Sequence, residues 1–373
     1  MTAHAKLSAS GAHRWMSCSG SIKAEEGLPE SRSVFADEGT AAHELAEVAL
    51  NADGNAQAFI GTSLPESGYL VTQEMADYVQ IYIDFVHSHG GTQMYEQRVD
   101  FSEWVSEGFG TSDAIVYQDD GTLRVIDLKY GKGVRVEAQG NQQGMLYALG
   151  AYNMLNDFLP IKQVIITIVQ PRLDHISESD PIEIKELLKF GEYARIKAEE
   201  ALSGNAKRSA GEKQCQFCKA KATCSELKRV TEQTLLTGFE QLDEAPTVDT
   251  LDDTQLRFAL DNKKLIISWL DAVENLVNDK LVSGQLFEGY KLVEGRSLRE
   301  WTNEVEAESV LVELLGDDAY VKKMLSVSQA EKVLGKLHAD KITDLVAKPK
   351  GKPTLVPEND KRAAINISAA SFD

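Results

Sequence analysis

Residues 110–129 read GTSDAIVYQDDGTLRVIDLK, a pattern that predicts two β-strands joined by a tight turn. The run Ser112–Gln118 alternates, Asp120-Gly121 is a strong hairpin signal, and Leu123–Leu128 is rich in branched apolar residues. Residues two apart on a strand share a face, so Asp127 and Lys129 project together. Asp113 opens the partner strand. If the strands pair around that turn, two carboxylates and an ammonium meet at one end of the hairpin. Such a set suits metal-assisted phosphodiester hydrolysis. Hard divalent cations take carboxylate oxygens, and a neighbouring lysine helps to activate water or to steady the charge on phosphate.

Working outward, Gln93–Phe101 alternates weakly and is expected to be the first strand of the sheet. Glu96 on it is either a solvent-facing strand residue or an extra carboxylate beside the site. Further upstream, Ser33–Gly39 reads as a loop, Thr40–Leu50 as a helix by composition, and 51–70 as loop. His43 and Glu47 lie four apart and share one helix face; alone, His43 reads as a partly buried packing residue. Glu74–His89 carries Met75, Tyr78, Val79, Tyr82, Phe85 and Val86 at helical spacing. Downstream, Gly131-Lys132-Gly133 leaves the second strand, and a long helix is expected over Val136–Asn156, with Gln143 and Tyr147 on one face. Ile161–Gln170, between Pro160 and Pro171, is an apolar run of the kind that forms a buried central strand. Ile182–Leu202 is again an amphipathic helix. This order predicts an α/β core, a mixed sheet flanked by helices, rather than a bundle or a sandwich.

The core unit is expected over residues 1–235. Ser225–Thr237 reads as a helix, and the acidic, turn-rich 241–253 as a boundary. Residues 254–345 form a smaller, mostly helical unit without recognisable chemistry: helices over 254–281, Glu306–Leu315 and Ser328–Leu337, and a strand over Phe287–Val293. Residues 346–373 read as a flexible tail. There is no internal repeat and no Walker or dinucleotide glycine motif.

Lys and Arg number 39 against 58 Asp and Glu, a net charge of −19. That balance opposes broad attraction to nucleic acid, whose phosphates are met by Lys and Arg, so a DNA channel here has to be narrow or supplied by a partner. No apolar run approaches the roughly 18 residues of a membrane span, and the first residues lack the basic-then-apolar order of a secretory signal. A cytosolic protein without membrane association is expected. The four cysteines are Cys18 and the C-x2-C-x5-C set Cys215, Cys218 and Cys224. In a reducing compartment a metal or a cluster explains them better than disulfides do.

A helix histidine, then GTSD, IDLK, a helical Q-x3-Y, a strand and C-x2-C-x5-C together resemble the RecB-type branch of the PD-(D/E)XK nuclease superfamily. That branch includes iron–sulfur members such as AddB and the CRISPR adaptation nucleases. The sequence also resembles a phage-encoded group long described as of unknown function. The nuclease likeness covers roughly residues 10–230. It implies a restriction-endonuclease-like core and a metal-dependent DNA nuclease, an exonuclease above all, serving phage recombination, replication or DNA processing in the bacterial host cytoplasm.

The resemblance also implies roles. His43, Asp113 and Asp127 would bind Mg²⁺ or Mn²⁺, with the Leu128 carbonyl as a further ligand. Lys129 would orient or deprotonate the attacking water, and Gln143 and Tyr147 would position Lys129 or contact the DNA backbone. Glu96 and Glu47 would stand behind the ligands. Gly144 occupies the position where the family usually has Leu. Cys18, Cys215, Cys218 and Cys224 would hold a 4Fe–4S cluster, with Zn²⁺ as the alternative; zinc ribbons usually carry two C-x2-C pairs, which are missing here. The partners implied are DNA ends or single strands, with an annealing protein, a single-strand-binding protein or a helicase. A binding protein that keeps the fold without cleaving is the competing expectation.

Overall fold

In the computed structural model, which describes residues 5–29, 34–236, 252–293 and 310–314, the hairpin is the middle of a six-stranded mixed sheet. Strand β1 is Thr92–Asp100, β2 Phe109–Tyr117, β3 Thr122–Leu128, β4 Gln163–Gln170, β5 His175–Glu178 and β6 Ile182–Glu183. The order is β1-β2-β3-β4-β5, with β6 also paired to β4. β3 and β4 run parallel and the other pairs antiparallel. Gly121 sits in the turn at φ 92°, where a side chain would be strained, and the Asp120 carboxylate accepts from the Thr122 N–H at 2.9 Å.

Every residue of β3 is buried, as a strand covered on both faces must be. On one face Ile115, Leu123 and Val125 pack with Leu146 and Leu149 of the helix Gln142–Leu155. On the other, Val116, Ile126 and Leu128 pack with Leu45 and Val79. These belong to the helices Val34–Asn51 and Gln73–His87. In chain order the helices are α1 Ala12–Trp15, α2 Ser21–Glu25, α3 Val34–Asn51, α4 Gln73–His87, α5 Gln142–Leu155, α6 Ile184–Leu202, α7 Glu212–Cys215, α8 Ser225–Leu236 and α9 Asp253–Val282.

Several boundaries differ from the sequence reading. α3 begins at Val34, inside the expected loop. α5 begins at Gln142 rather than Val136, because the preceding N–H groups are spent elsewhere. Val136 donates to Gln170 Oε1 at 2.7 Å and Ala138 to Ser177 Oγ at 2.9 Å, and Asn141 then caps the helix. β5 was not anticipated: its four residues are too short for a periodicity signal. Gly144 faces β4, where an added Cβ would overlap Cγ2 of Ile166. Gly144→Ala is expected to cost about 1–3 kcal/mol of overpacking, read as a lower urea midpoint.

The chain divides into two units, Met1–Leu292 and Val293–Asp373. α9, expected to open the second unit, belongs to the first. Its Leu265 and Trp269 pack with Leu227 and Cys215, and Lys221 Nζ donates to Ser268 Oγ at 2.8 Å. The expected strand at Phe287–Val293 is irregular backbone. In the second unit a helical turn is described at 310–314. The helix expected at 328–337, the rest of 306–315, the boundary stretch 241–250 and the tail 346–373 lie outside the described residues. Among the described residues no helix is long and apolar enough to cross a membrane.

Candidate functional site

The register brings three carboxylates into one row. Tyr95 pairs with Ala114 and Gln97 with Ser112, placing Glu96 opposite Asp113. Ala114 pairs with Ile126, so the next step places Asp113 opposite Asp127. Directly opposed residues on neighbouring strands are the closest cross-strand pairs. Glu96 is held at φ 45°, a left-handed conformation in the middle of a strand.

Two linked clusters grow from this row. In the first, the Asp113 carboxylate accepts from the Leu128 N–H at 2.7 Å and lies 3.3 Å from His43 Nδ1, which α3 delivers from the other side of the sheet. His43, Glu96 and Asp113 offer ligand atoms all within 4.8 Å of one another. In the second, Lys129 Nζ stands 2.9 Å from Asp127 Oδ2 and donates to Gln143 Oε1 at 3.0 Å. Gln143 Nε2 closes the ring, 3.1 Å from Asp127 Oδ1 and 3.3 Å from the Tyr147 hydroxyl. Gln143 and Tyr147, one turn apart, thus share a face and meet. Asp127 is 3 % exposed, and its Oδ2 meets the ammonium as an ion pair.

Charges in the site are strongly perturbed. Burial opposes the His43 imidazolium, but the Asp113 carboxylate more than offsets it and lifts the pKa to about 9. Asp113 is also buried, yet His43, then Lys129 and the Leu128 N–H, hold it below the usual carboxylate range. Burial pushes Asp127 up, against the pull of Lys129, and burial followed by the Asp113 charge pushes Glu96 up to about 8. Lys129 stays protonated: burial opposes its charge, but Asp127 outweighs burial and raises its pKa.

These shifts set a pH dependence for the protein without divalent ions. A histidine raised from 6.5 stabilises fully below that value and loses the contribution as pH climbs through about 9. A carboxyl raised from 4.5 to about 8 costs stability over that rise. The melting temperature is therefore expected to fall from about pH 6 to about pH 9, and less so in Glu96→Gln. Thermal melts across that range check it.

Tyr82 was read from the sequence only as part of the apolar stripe of α4. Its side chain is fully buried, its hydroxyl has no hydrogen-bond partner, and the charges acting on it are Asp113, Glu96 and Asp127. The single signal in the sequence was a phenol on a core-facing stripe. Glu47, one turn beyond His43, instead faces Glu66 and Glu44, which with burial raise its pKa.

The cysteine segments meet away from this site. Ser209 N–H donates to Cys18 Sγ at 3.2 Å and Gly211 N–H to Cys215 Sγ at 3.4 Å. Arg14 Nη1 donates to the Phe217 carbonyl at 3.1 Å, and Lys219 N–H to the Glu25 carboxylate at 2.8 Å. Among the described residues, however, no three cysteine sulfurs lie within 4.8 Å of one another. The thiols are thus not gathered as closely as the zinc alternative requires, whose sulfurs would stand about 3.8 Å apart.

Fold and site define an α/β protein with a carboxylate–lysine–glutamine cluster beside a His/Glu/Asp group able to hold a cation. The model of the family described as "Protein of unknown function (DUF2800)" matches residues 4–363, and the chain belongs to that family. A solved structure titled "Crystal structure of SSO0001" is similar over 58 % of this chain and 84 % of that chain, at 15 % identity and a TM-score of 0.27. A likeness of that size carries no argument.

Proposed function

We propose that this chain is a divalent-metal-dependent deoxyribonuclease with a PD-(D/E)XK core of the RecB type, acting at DNA ends or on single strands. The observation that carries the reading is the ring of Asp127, Lys129 and Gln143 set against the His43–Asp113 pair at one end of the hairpin. Acidic, imidazole and ammonium groups of this kind have no packing role that favours burying them together; their desolvation is costly even when they are paired, and clusters so perturbed gather at functional sites.

The donor set fits a hard cation: His43, Asp113 and Asp127 would hold Mg²⁺ or Mn²⁺, with the Leu128 carbonyl as a further oxygen. The imidazole favours Mn²⁺. Such an ion supplies Lewis acidity toward phosphate and a more acidic water. Lys129, protonated and fixed by two partners, places a positive charge where the phosphate gains negative charge. Its raised pKa suits this role better than that of a general base. Gln143 holds both Lys129 and Asp127, and Tyr147 in turn meets Gln143.

The lone Cys18 with a single C-x2-C-x5-C set favours a 4Fe–4S cluster over zinc, whose ribbons usually carry two C-x2-C pairs. Cys18→Ala is expected to lower the melting temperature by several degrees and remove the broad visible absorbance of the cluster; an unchanged melt would reject this. The net charge of −19 favours a second reading, a partner-binding protein that keeps the fold without cleaving.

The test is cleavage of end-labelled single- and double-stranded DNA with Mn²⁺ or Mg²⁺, by protein purified without oxygen. Metal-dependent shortening from the ends supports the exonuclease. Folded protein with no cleavage under either metal moves the reading to the binding protein, to be sought with an annealing protein, single-strand-binding protein or helicase.

A further inference from the structure

The geometry points to Glu96 as a direct ligand of the cation, joining His43 and Asp113, with the buried Tyr82 hydroxyl serving the same group. This inference rests on the metal-dependent reading above and adds Glu96 to its ligand set. The ligand atoms of His43, Glu96 and Asp113 lie within 4.8 Å of one another, the only such group of three among the described residues. Asp127, a ligand in the reading above, lies next to them in the same row, its oxygens met by Lys129 and Gln143.

Two independent features support the assignment. The Tyr82 hydroxyl is fully buried and has no protein partner, and its nearest charges are the carboxylates of this row. A buried hydroxyl without a partner has to find one outside the side chains, and a water on a bound cation is the polar group that fits. Among the described residues, moreover, Glu96 is one of three non-glycine residues with positive φ, and the only one of them inside a strand. Any residue that merely faced solvent could relax there to extended backbone. One carboxylate, one imidazole and a second carboxylate, with open positions remaining, form a set for a divalent cation of the Mn²⁺ class. The remaining positions are free for water and a phosphate oxygen.

Direct Mn²⁺ binding tests this without reference to cleavage. The full-length protein, dialysed free of divalent ions, is titrated with Mn²⁺ and free Mn²⁺ is followed by its electron paramagnetic resonance signal. Glu96→Gln is expected to weaken binding about tenfold or more without lowering the melting temperature of the ion-free protein. Tyr82→Phe is expected to weaken it several-fold, again without loss of stability, since the lost hydroxyl had no partner. Glu96→Gly, which relieves the left-handed backbone, is expected to melt no lower than the native chain while binding Mn²⁺ weakly. Native affinity in Glu96→Gln would overturn the assignment and leave the nuclease reading intact. Native protein that takes up no Mn²⁺ would overturn it too. Tight, Glu96-dependent binding without DNA cleavage would support the ligand and remove the nuclease.

Discussion

For the nuclease proposed above, Lys129→Met is expected to slow metal-dependent DNA cleavage by about 10²–10⁴-fold, with the KM for DNA within a few-fold of the native value. Among the described residues, the ammonium is the one cation facing both Asp127 and Gln143, at 2.9 and 3.0 Å. Charge that develops on the phosphate in the transition state has no substitute donor in that ring. A loss falling on kcat follows from an interaction made mainly in the transition state. Methionine keeps the aliphatic stem, so packing is disturbed little. Asp127 loses its ion-pair partner, but burial already raises its pKa and lets it take up a proton in place of the lost charge. The variant should therefore fold, as circular dichroism and a cooperative melt would show. Cleavage at a native rate by this variant would remove Lys129 from the reaction.

The second large effect is on stability. Trp15→Ala is expected to cost about 3–5 kcal/mol, a large part of the roughly 5–15 kcal/mol that holds a domain folded. Trp15 is 1 % exposed, and its Nε1 donates to the Ser8 carbonyl at 3.0 Å. It lies in the same buried cluster as Phe101, Leu146 and Ala198, which come from the β1–β2 connection, α5 and α6. The short N-terminal helices are thus part of the core rather than an appendage to it. Truncating the indole leaves a cavity that three elements border, and none can move in without leaving the others. Trp15→Phe, which keeps a ring and loses one hydrogen bond, should cost clearly less. A urea midpoint for Trp15→Ala close to that of the native chain would sink this account.

The N-terminal segment also shows why sequence pattern has limits here. Residues 11–24 read as a polar-and-aromatic stretch holding Cys18, and no periodicity in so short a run could place Trp15 under the sheet. Its hydrogen bonds to the cysteine loop, such as Gly20 N–H to the Lys207 carbonyl at 2.8 Å, join residues far apart in sequence. The ion pair of the buried Arg124 with the exposed Glu178 was invisible for the same reason: β5, which carries Glu178, gives no signal of its own.

What the residues by themselves determined was local. The two-residue period of β2 and β3, the Asp120-Gly121 turn, and the apolar run of β4 between two prolines are each written in a few neighbouring positions. So is the shared face of Asp127 and Lys129, and that of Gln143 and Tyr147 one helical turn apart. These follow from backbone geometry that any chain obeys. Tertiary structure alone decided the rest. It set Glu96 opposite Asp113, brought His43 across from α3, and turned the Tyr82 phenol toward the carboxylates. It also moved the start of α5 to Gln142 and drew α9 into the first unit. Each of these depends on register and packing between distant segments, where the free energy comes from burial shared among several elements rather than from any one of them.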